Sequence, residues 1–438
     1  MFRHRLKSKC SLLSIAIACL LLACSNSESI YFTSNESFDN SLSNRIDYQP
    51  LNDTEYPYAG IPRIVIETEN LRQIRDRETE IPARLQIYGK NVPESEIMAL
   101  TIKGRGNTSW TDMPKKSYKI EFVNKQSLLG MPKDRDWVLI ANYADKTLMK
   151  NYLMYQLSTK LGAYYSPRCQ FVELFLNREY LGIYLLTEKI KISKNRINIP
   201  QNDNSYIIEF DTRVRKDEQV LYSDVLSNKN EKKSFQVHEP RNASQSILAN
   251  AEKQITLFEA FLKKIQPQTN NNVNEWIDID EYIKHYWLQE FSKNPDAIFL
   301  TSVFFSWQNN NVIKMGPIWD FDLSIGGHNS NSINSTQNWY LKDSYWNKYI
   351  FLDSVMAQAR TQYWTDNKKT IASTIEMADS IQVLLNEASK NNFKRWNILQ
   401  STEYSCHLHS YMTYKEAVDD LKKWLEERIA WIDAHIND

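Results

Sequence analysis

The spacing of apolar residues changes halfway along the chain, and this change constrains the fold more than any other feature of the sequence. Up to about residue 211, apolar and polar residues alternate in short runs, as in strands with one buried face. Eight runs are predicted to be strands: residues 61–67, 83–88, 99–103, 117–122, 137–140, 171–176, 183–186 and 206–210. One helix interrupts them, with Asp145 as its N-cap and Gly162 at its end.

After about residue 250, apolar residues recur at helical spacing. Four amphipathic helices are predicted, over residues 251–265, 279–293, 368–392 and 414–436. A hairpin follows the second helix and pairs residues 303–306 with residues 312–315 across three asparagines, which tolerate the left-handed turn conformation. This order predicts an α+β protein with a strand-rich N-terminal lobe, a helix-rich C-terminal lobe and a cleft between them.

The N-terminus has the pattern of an export signal. Its four basic residues are Arg3, Arg5, Lys7 and Lys9. The apolar run over residues 12–23 is shorter than the roughly 20 residues that a membrane-spanning helix needs. The run ends in Leu21-Leu22-Ala23-Cys24, which resembles the lipobox of bacterial lipoproteins. We therefore expect residues 1–23 to be removed as a signal peptide and Cys24 to carry a lipid. An ordinary signal peptide that contains a cysteine is the alternative.

This lipid would tie the protein to a membrane of the cell envelope, either the outer membrane or the cell surface. Residues 24–57 are rich in Ser, Asn, Asp and Glu, which predicts a flexible tether. The folded core is expected over residues 58–330, with its strand-rich lobe ending near residue 211. Residues 331–438 are expected to form a C-terminal helical extension that packs on the helical lobe.

Composition excludes one class of partner. The chain of 438 residues is 42% hydrophobic, which is ample for a large core. It has 53 basic and 53 acidic residues, and loss of the four basic residues in the signal leaves 49 against 53, a net charge near −4. Nucleic acid is therefore not an expected partner. Cys169 and Cys406 remain after processing and are expected either to pair or to stay as buried free thiols.

A glycine-rich turn precedes a basic strand. The turn reads Gly104-Arg105-Gly106-Asn107-Thr108-Ser109, and Pro114-Lys115-Lys116-Ser117 follows it. Glycine allows close backbone approach, Arg105 can hold a phosphate through two hydrogen bonds, and a strand lysine can add a point charge. The turn is neither a P-loop nor a complete dinucleotide fingerprint, because Ser109 replaces the third glycine. Taken alone, it indicates only a turn before a surface strand.

Carboxylates stand at both ends of the predicted hairpin. Asp296 precedes it, and Trp319-Asp320-Phe321-Asp322 follows it. Because a hairpin brings its ends together, these three aspartates are expected to converge on an oxygen-rich site suited to Mg²⁺. An EF-hand is excluded, since positions 6 and 12 counted from Asp320 are Ile325 and Asn331. The alternative is a set of aspartates that only cap neighbouring elements.

Taken together, these segments resemble the CotH kinase family. The resemblance rests on four segments in the family's order: the glycine–arginine turn with residues 114–118, residues 141–145 with Lys150-Asn151, residues 176–184 with Glu188, and the Trp-Asp-Phe-Asp segment. It covers roughly residues 60–330. It implies an atypical, protein-kinase-like fold of two lobes that uses ATP with Mg²⁺ or Mn²⁺ to phosphorylate serine on an unknown acceptor protein.

The same resemblance implies roles for individual residues. Lys116 looks like the phosphate-binding lysine, with Lys119 as a weaker candidate because it points to the other face of the strand. Further roles are assigned as follows: Arg105 to the nucleotide, Tyr184 and Glu188 to the hinge-like segment that faces adenine, Trp319 to the pocket lining, Asp296 to the acceptor hydroxyl and its proton, and Asp320 and Asp322 to the metal.

The sequence departs from a typical kinase five residues after Asp296. Kinases place a metal-binding asparagine there, whereas this chain has Thr301, followed by Ser302. Thr301 would be a weaker metal ligand, so the expectation is an active enzyme with a modified metal site or an inactive pseudokinase. A cell-surface module that binds glycan or protein is the rival reading. Glycoside hydrolysis is disfavoured, because Asp320 and Asp322 are too close in sequence to flank a glycosidic bond.

Overall fold

The computed structural model describes residues 46–213, 219–226, 233–309 and 311–438. All of them belong to one unit, Arg45–Asp438. The predicted signal peptide, Cys24 and the tether up to residue 45 lie outside the described residues. Within these ranges, no helix combines the length and the apolar character needed to cross a membrane.

Seven strands close into a barrel. They are β1 (Arg63–Thr68), β2 (Ile81–Tyr88), β3 (Met98–Arg105), β4 (Ser117–Gln126), β5 (Asp134–Ile140), β6 (Cys169–Leu176) and β7 (Glu179–Glu188). Their order is β1-β2-β3-β4-β5-β7-β6, and the parallel pairing of β1 with β6 closes the ring. Each strand overlaps one predicted from alternation, so these seven predictions are confirmed. Two helices interrupt the series, α1 (Thr108–Thr111) and α2 (Lys150–Lys160).

The two faces of the barrel strands have different environments. On β4, Tyr118, Ile120 and Phe122 pack into the apolar interior of the barrel. Side chains of the opposite parity, Ser117 and Lys119, lie outside the barrel and line a cavity. Strand alternation therefore decides which lysine of the basic strand can reach a ligand.

A second, antiparallel sheet lies beside the barrel. Its strands, in the order β12-β11-β8-β10-β9, are β8 (Tyr206–Phe210), β9 (Val220–Ser223), β10 (Lys233–Glu239), β11 (Val303–Trp307) and β12 (Lys314–Met315). The predicted hairpin is confirmed, with Phe305 opposite Met315. Strand β8 pairs with β11 of this hairpin instead of joining the barrel strands. The predicted lobe boundary near residue 211 therefore does not match the sheets, and β9 and β10 were not predicted.

The other regular elements of the described chain are helices, joined by loops. They are α3 (Gln245–Leu262), α4 (Ile279–Ser292), the one-turn helices α5 (Asn331–Asn334) and α6 (Asn347–Ile350), α7 (Ser354–Arg395) and α8 (Tyr414–His435). Side-chain caps begin the four long ones, for example Asp278 at α4 and Asp353 at α7. All four predicted helices are confirmed, although α7 extends well beyond its predicted bounds.

The long helix α7 packs against the barrel as well as against other helices. The Oδ1 atom of Asn392 accepts hydrogen bonds from the backbone N–H of Ile183 and from the buried ammonium of Lys115, each at 3.0 Å. Gly182 makes room for this contact with a φ of +91°, and an added Cβ atom would overlap Asn392 Oδ1. The expected C-terminal extension thus braces the strand-rich half of the molecule too.

The chain is therefore a mixed α+β protein, as predicted. Its first sheet closes into a barrel, and the likeness to a two-lobed kinase stays a prediction. Cys169 and Cys406 are both free and buried, so the expectation of two buried free thiols is confirmed and that of a disulfide is wrong.

Gly182→Ala should lower the free energy of unfolding by about 3 kcal/mol, because the new side chain combines a left-handed backbone with an overlap at Asn392. Gly130→Ala is a matched control, since Gly130 also has a positive φ but has open space around it. We expect it to cost only about 1 kcal/mol. Urea unfolding of both variants measures the difference, and equal losses would contradict the proposed brace.

Candidate functional site

A cavity of about 370 Å³ lies between the outer face of the barrel, the second sheet and the two segments that flank the hairpin. This volume is within the usual range for small-molecule sites. Asp296, Asp320 and Asp322 all line the cavity. The hairpin thus brings its two acidic ends to one place, as its sequence predicts.

Local backbone structure presents these aspartates to the cavity. Asp296 lies in the 3₁₀ turn Pro295–Ala297, whose N-cap Asn294 accepts a hydrogen bond from the Asp296 N–H at 3.2 Å. Asp320 has a φ of +64°, which is rare for a residue with a side chain. Such a conformation persists only where the surroundings hold it.

The three carboxyl groups are buried next to one another, and this perturbs their protonation. Burial, and then the charge of Asp320, raise the pKa of Asp296 well above its ordinary value. Burial also raises the pKa of Asp320, while Arg105 and Arg213 oppose the rise. For Asp322, burial and then Asp320 raise the pKa to about 7, and Lys150 opposes this. A cation that entered the cavity would stabilise the ionised forms of all three.

The carboxylates do not form a ready-made metal cage. Across the described part of the chain, no group of three or more His, Cys, Asp or Glu residues could hold a metal ion as the side chains stand. The donor chemistry nevertheless fits a hard divalent cation, because buried carboxylate oxygens that repel one another are the ligands that Mg²⁺ and Mn²⁺ prefer. Asp320 and Asp322 are the residues that would hold it.

Thr301 lines the cavity, but its hydroxyl is already engaged. Its Oγ1 atom accepts a hydrogen bond from Nη2 of Arg213 at 2.7 Å. The backbone N–H of Arg213 in turn donates to Asp211, a buried carboxylate that also lines the cavity. A metal-binding role for Thr301 would have to displace Arg213. Asp211 and Arg213 were not predicted as site residues, although Asp211 directly follows a predicted strand and Arg213 comes two residues later.

Arg105 lies where the glycine turn was expected to place it. Its guanidinium stands over the ring of Trp319, 5.0 Å from the ring centre, and both residues line the cavity. Gly106 has a φ of +102°, and an added Cβ atom there would overlap the Ser109 hydroxyl. The glycine is therefore needed for the turn that carries Arg105.

The structure places Lys119, not Lys116, in the wall of the cavity. Lys116 has the same strand parity as the barrel interior, and its ammonium donates to the carbonyl of Trp110. Lys119 points outward and contacts Glu121 at 2.7 Å and Asp136 at 3.3 Å. The prediction favoured Lys116 over Lys119 as the lysine that faces the ligand, and on this point it is wrong.

Tyr184 and Glu188 do not line the cavity either. Tyr184 fills the barrel and donates a hydrogen bond to the carbonyl of Lys116 at 2.8 Å. Glu188 is buried against Arg168 at 2.8 Å and Arg196 at 2.7 Å. The next two residues, Lys189 and Ile190, do line the cavity, so the segment reaches it one residue later than predicted.

The remaining walls are partly apolar. Val138 and Ile140 come from β5, Ile190 follows β7, and Phe304 comes from β11. His238 of β10 completes this side, with Nδ1 lying 3.1 Å from Glu209 and Nε2 lying 3.2 Å from the carbonyl of Ile190. The wall of the cavity therefore combines apolar side chains with acidic and basic ones.

Comparison with known proteins shows which family the chain belongs to. A protein-family model described as CotH kinase protein matches residues 102–432. The chain belongs to the CotH kinase family. The match begins later than the expected resemblance and continues through α7 and most of α8, so this CotH family unit includes the C-terminal helices that were expected to be an extension. No curated protein matches the sequence.

Proposed function

We propose that this CotH kinase family member transfers the γ-phosphoryl group of ATP to a serine hydroxyl of a protein, with Mg²⁺ or Mn²⁺ as its cation. The observation that carries the proposal is the convergence of Asp296 with Asp320 and Asp322 from opposite ends of one hairpin on a single cavity. Phosphoryl transfer requires positioning and charge neutralisation more than covalent chemistry, and a cavity of this composition supplies both.

The nucleotide would lie in the cavity with its ring against apolar side chains and its phosphates against charged ones. Val138, Ile190 and Phe304 offer apolar surfaces for the adenine ring. Lys119 and Arg105 would contact phosphate oxygens, because both cations face the same space as the aspartates. A divalent cation on Asp320 and Asp322 would neutralise the charge that develops on the phosphates.

Asp296 would orient the serine hydroxyl and accept its proton at a carboxylate oxygen. Burial, and then the charge of Asp320, raise the pKa of Asp296 well above its ordinary value, which opposes ionisation of this carboxyl group. A divalent cation bound at Asp320 and Asp322 would favour the ionised form, which couples the base to cation binding.

Asp296→Asn should leave ATP affinity nearly unchanged and slow transfer by about 10²–10⁴-fold, because an amide cannot accept the serine proton. Asp320→Asn should weaken the binding of ATP with Mn²⁺, because it removes a charge from the cation site. Calorimetric titration and single-turnover transfer from labelled ATP to a serine-rich protein measure the two effects. Wild-type transfer rates in the Asp296 variant would exclude Asp296 as the base.

Lys119→Met should weaken ATP binding by about tenfold or more and affect AMP much less, since its ammonium would contact the outer phosphates. Lys116→Met is the matched control, because it removes the same charge from the residue just before this strand, outside the cavity. We expect the control to bind ATP like wild type. Stronger loss in the Lys116 variant would return the phosphate-binding role to Lys116.

Nucleotide binding without transfer is the second candidate function, and one observation favours it. Arg213 donates a hydrogen bond to the hydroxyl of Thr301, at the position where kinases place a second metal ligand. If this bond keeps the second metal ion away, ATP would bind and no phosphoryl group would be transferred. Export and anchoring through Cys24 stay predictions from the sequence.

A further inference from the structure

One of the segments that resemble the CotH kinase family has no part in the chemistry proposed above. It comprises residues 142–151, and its last two residues, Lys150 and Asn151, begin α2. Asn151 is 1% exposed, and its Oδ1 atom accepts a hydrogen bond from the backbone N–H of Phe321 at 2.8 Å. The start of α2 is thus bonded directly to the chain between Asp320 and Asp322.

A second buried asparagine holds the same stretch from the other side. Nδ2 of Asn294 donates to the backbone carbonyl of Asp320 at 3.2 Å and to that of Trp319 at 3.4 Å. The peptide group that joins Asp320 to Phe321 is therefore held at both ends, its carbonyl by Asn294 and its N–H by Asn151. These partners also fix the orientation of both side-chain amides, because a backbone N–H only donates and a carbonyl only accepts.

Asn151 is itself held in place. Its Nδ2 atom donates to Oδ1 of Asn142 at 3.3 Å, and Asn142 donates to the carbonyl of Leu148 at 3.0 Å. The neighbouring Lys150 is buried and lies near Asp322. Residues 142–151 thus form a rigid support behind the Asp320–Asp322 segment.

This support bears on a backbone that needs it. Asp320 adopts a positive φ, a conformation that costs a residue with a Cβ atom about 1–2 kcal/mol, although Asp tolerates it better than most. The direction of its carboxylate depends on the orientation of the following peptide group. Loss of either asparagine would also leave a buried backbone group without its partner.

We propose that Asn151 and Asn294 are positioning residues that clamp the Asp320–Phe321 peptide so that the Asp320 carboxylate faces the cavity in a cation-binding direction. The proposal rests on the proposed function, because it assigns the cation to Asp320. Groups that orient metal ligands typically change metal affinity by about 10–100-fold when they are replaced.

The test compares Asn151→Leu, which removes the acceptor at similar size, with Asn151→Asp, which keeps an acceptor for the Phe321 N–H. Asn391→Leu is the matched control, since Asn391 is a buried asparagine whose bonds to Pro57 and Glu173 lie away from the cavity. Hydrogen exchange of the Phe321 amide in the cation-free protein and Mn²⁺ affinity without nucleotide are both measured. Asn151→Ser replaces the leucine variant if that variant does not fold.

We expect Asn151→Leu to speed exchange at Phe321 and to weaken Mn²⁺ binding by about 10–100-fold. Asn151→Asp should keep the amide protected, and Asn391→Leu should change neither quantity. Wild-type Mn²⁺ affinity in the leucine variant would overturn the positioning role and leave the proposed function intact. A wild-type protein that binds no Mn²⁺, with or without nucleotide, would overturn the proposed function and this inference with it.

Discussion

Repulsion between buried carboxylates is the constraint on which the organisation of this cavity depends. Asp296, Asp320 and Asp322 share one desolvated space. Burial raises the pKa of all three, and the charge of Asp320 raises the pKa of the other two further. Such an arrangement persists if the carboxyl groups take up protons or if charge of the opposite sign compensates them. Within the described residues, Arg105, Arg213 and Lys150 supply part of that compensation. The negative charge that these three residues leave uncompensated is the physical reason to expect a cation.

The fold supplies a rigid frame for this unfavourable cluster. One wall is the outer face of a closed barrel, which α7 braces through the buried ammonium of Lys115 and the amide of Asn392. Burial lowers the pKa of Lys115 well below its ordinary value. The opposite wall is the sheet that holds the hairpin β11–β12, so the two acidic segments cannot separate without breaking that sheet.

Sequence patterns predicted the elements better than their assembly. Alternation was enough for the barrel strands, and the asparagine turn was enough for the hairpin, because both are local signals. The choice between Lys116 and Lys119 needed more. Their opposite parity was evident, but only closure of the barrel determines which face is interior. Polar residues alternate along β10, where Gln236 and His238 face the cavity, so its apolar signal was weak.

The contacts of Thr301 and Glu188 could not be predicted from the sequence for a different reason. Arg213 bonds to Thr301 from 88 residues away, a distance in the chain that no short motif spans. Arg168 and Arg196 enclose Glu188 from the residue just before β6 and from the loop after β7. The clamp on the Asp320–Phe321 peptide is likewise built by Asn151 and Asn294 from separate elements. Motifs located the right segments here, whereas tertiary structure decided which atoms meet.

A crystal structure of the protein with a non-hydrolysable ATP analogue and Mn²⁺ tests the central claim most directly, because anomalous scattering locates manganese independently of the refined chain. The account predicts a manganese peak about 2–2.5 Å from oxygens of Asp320 and Asp322. It also predicts the base between Val138, Ile190 and Phe304, and phosphates near Lys119. Nucleotide bound elsewhere, or bound in this cavity with no manganese at either aspartate, would contradict it.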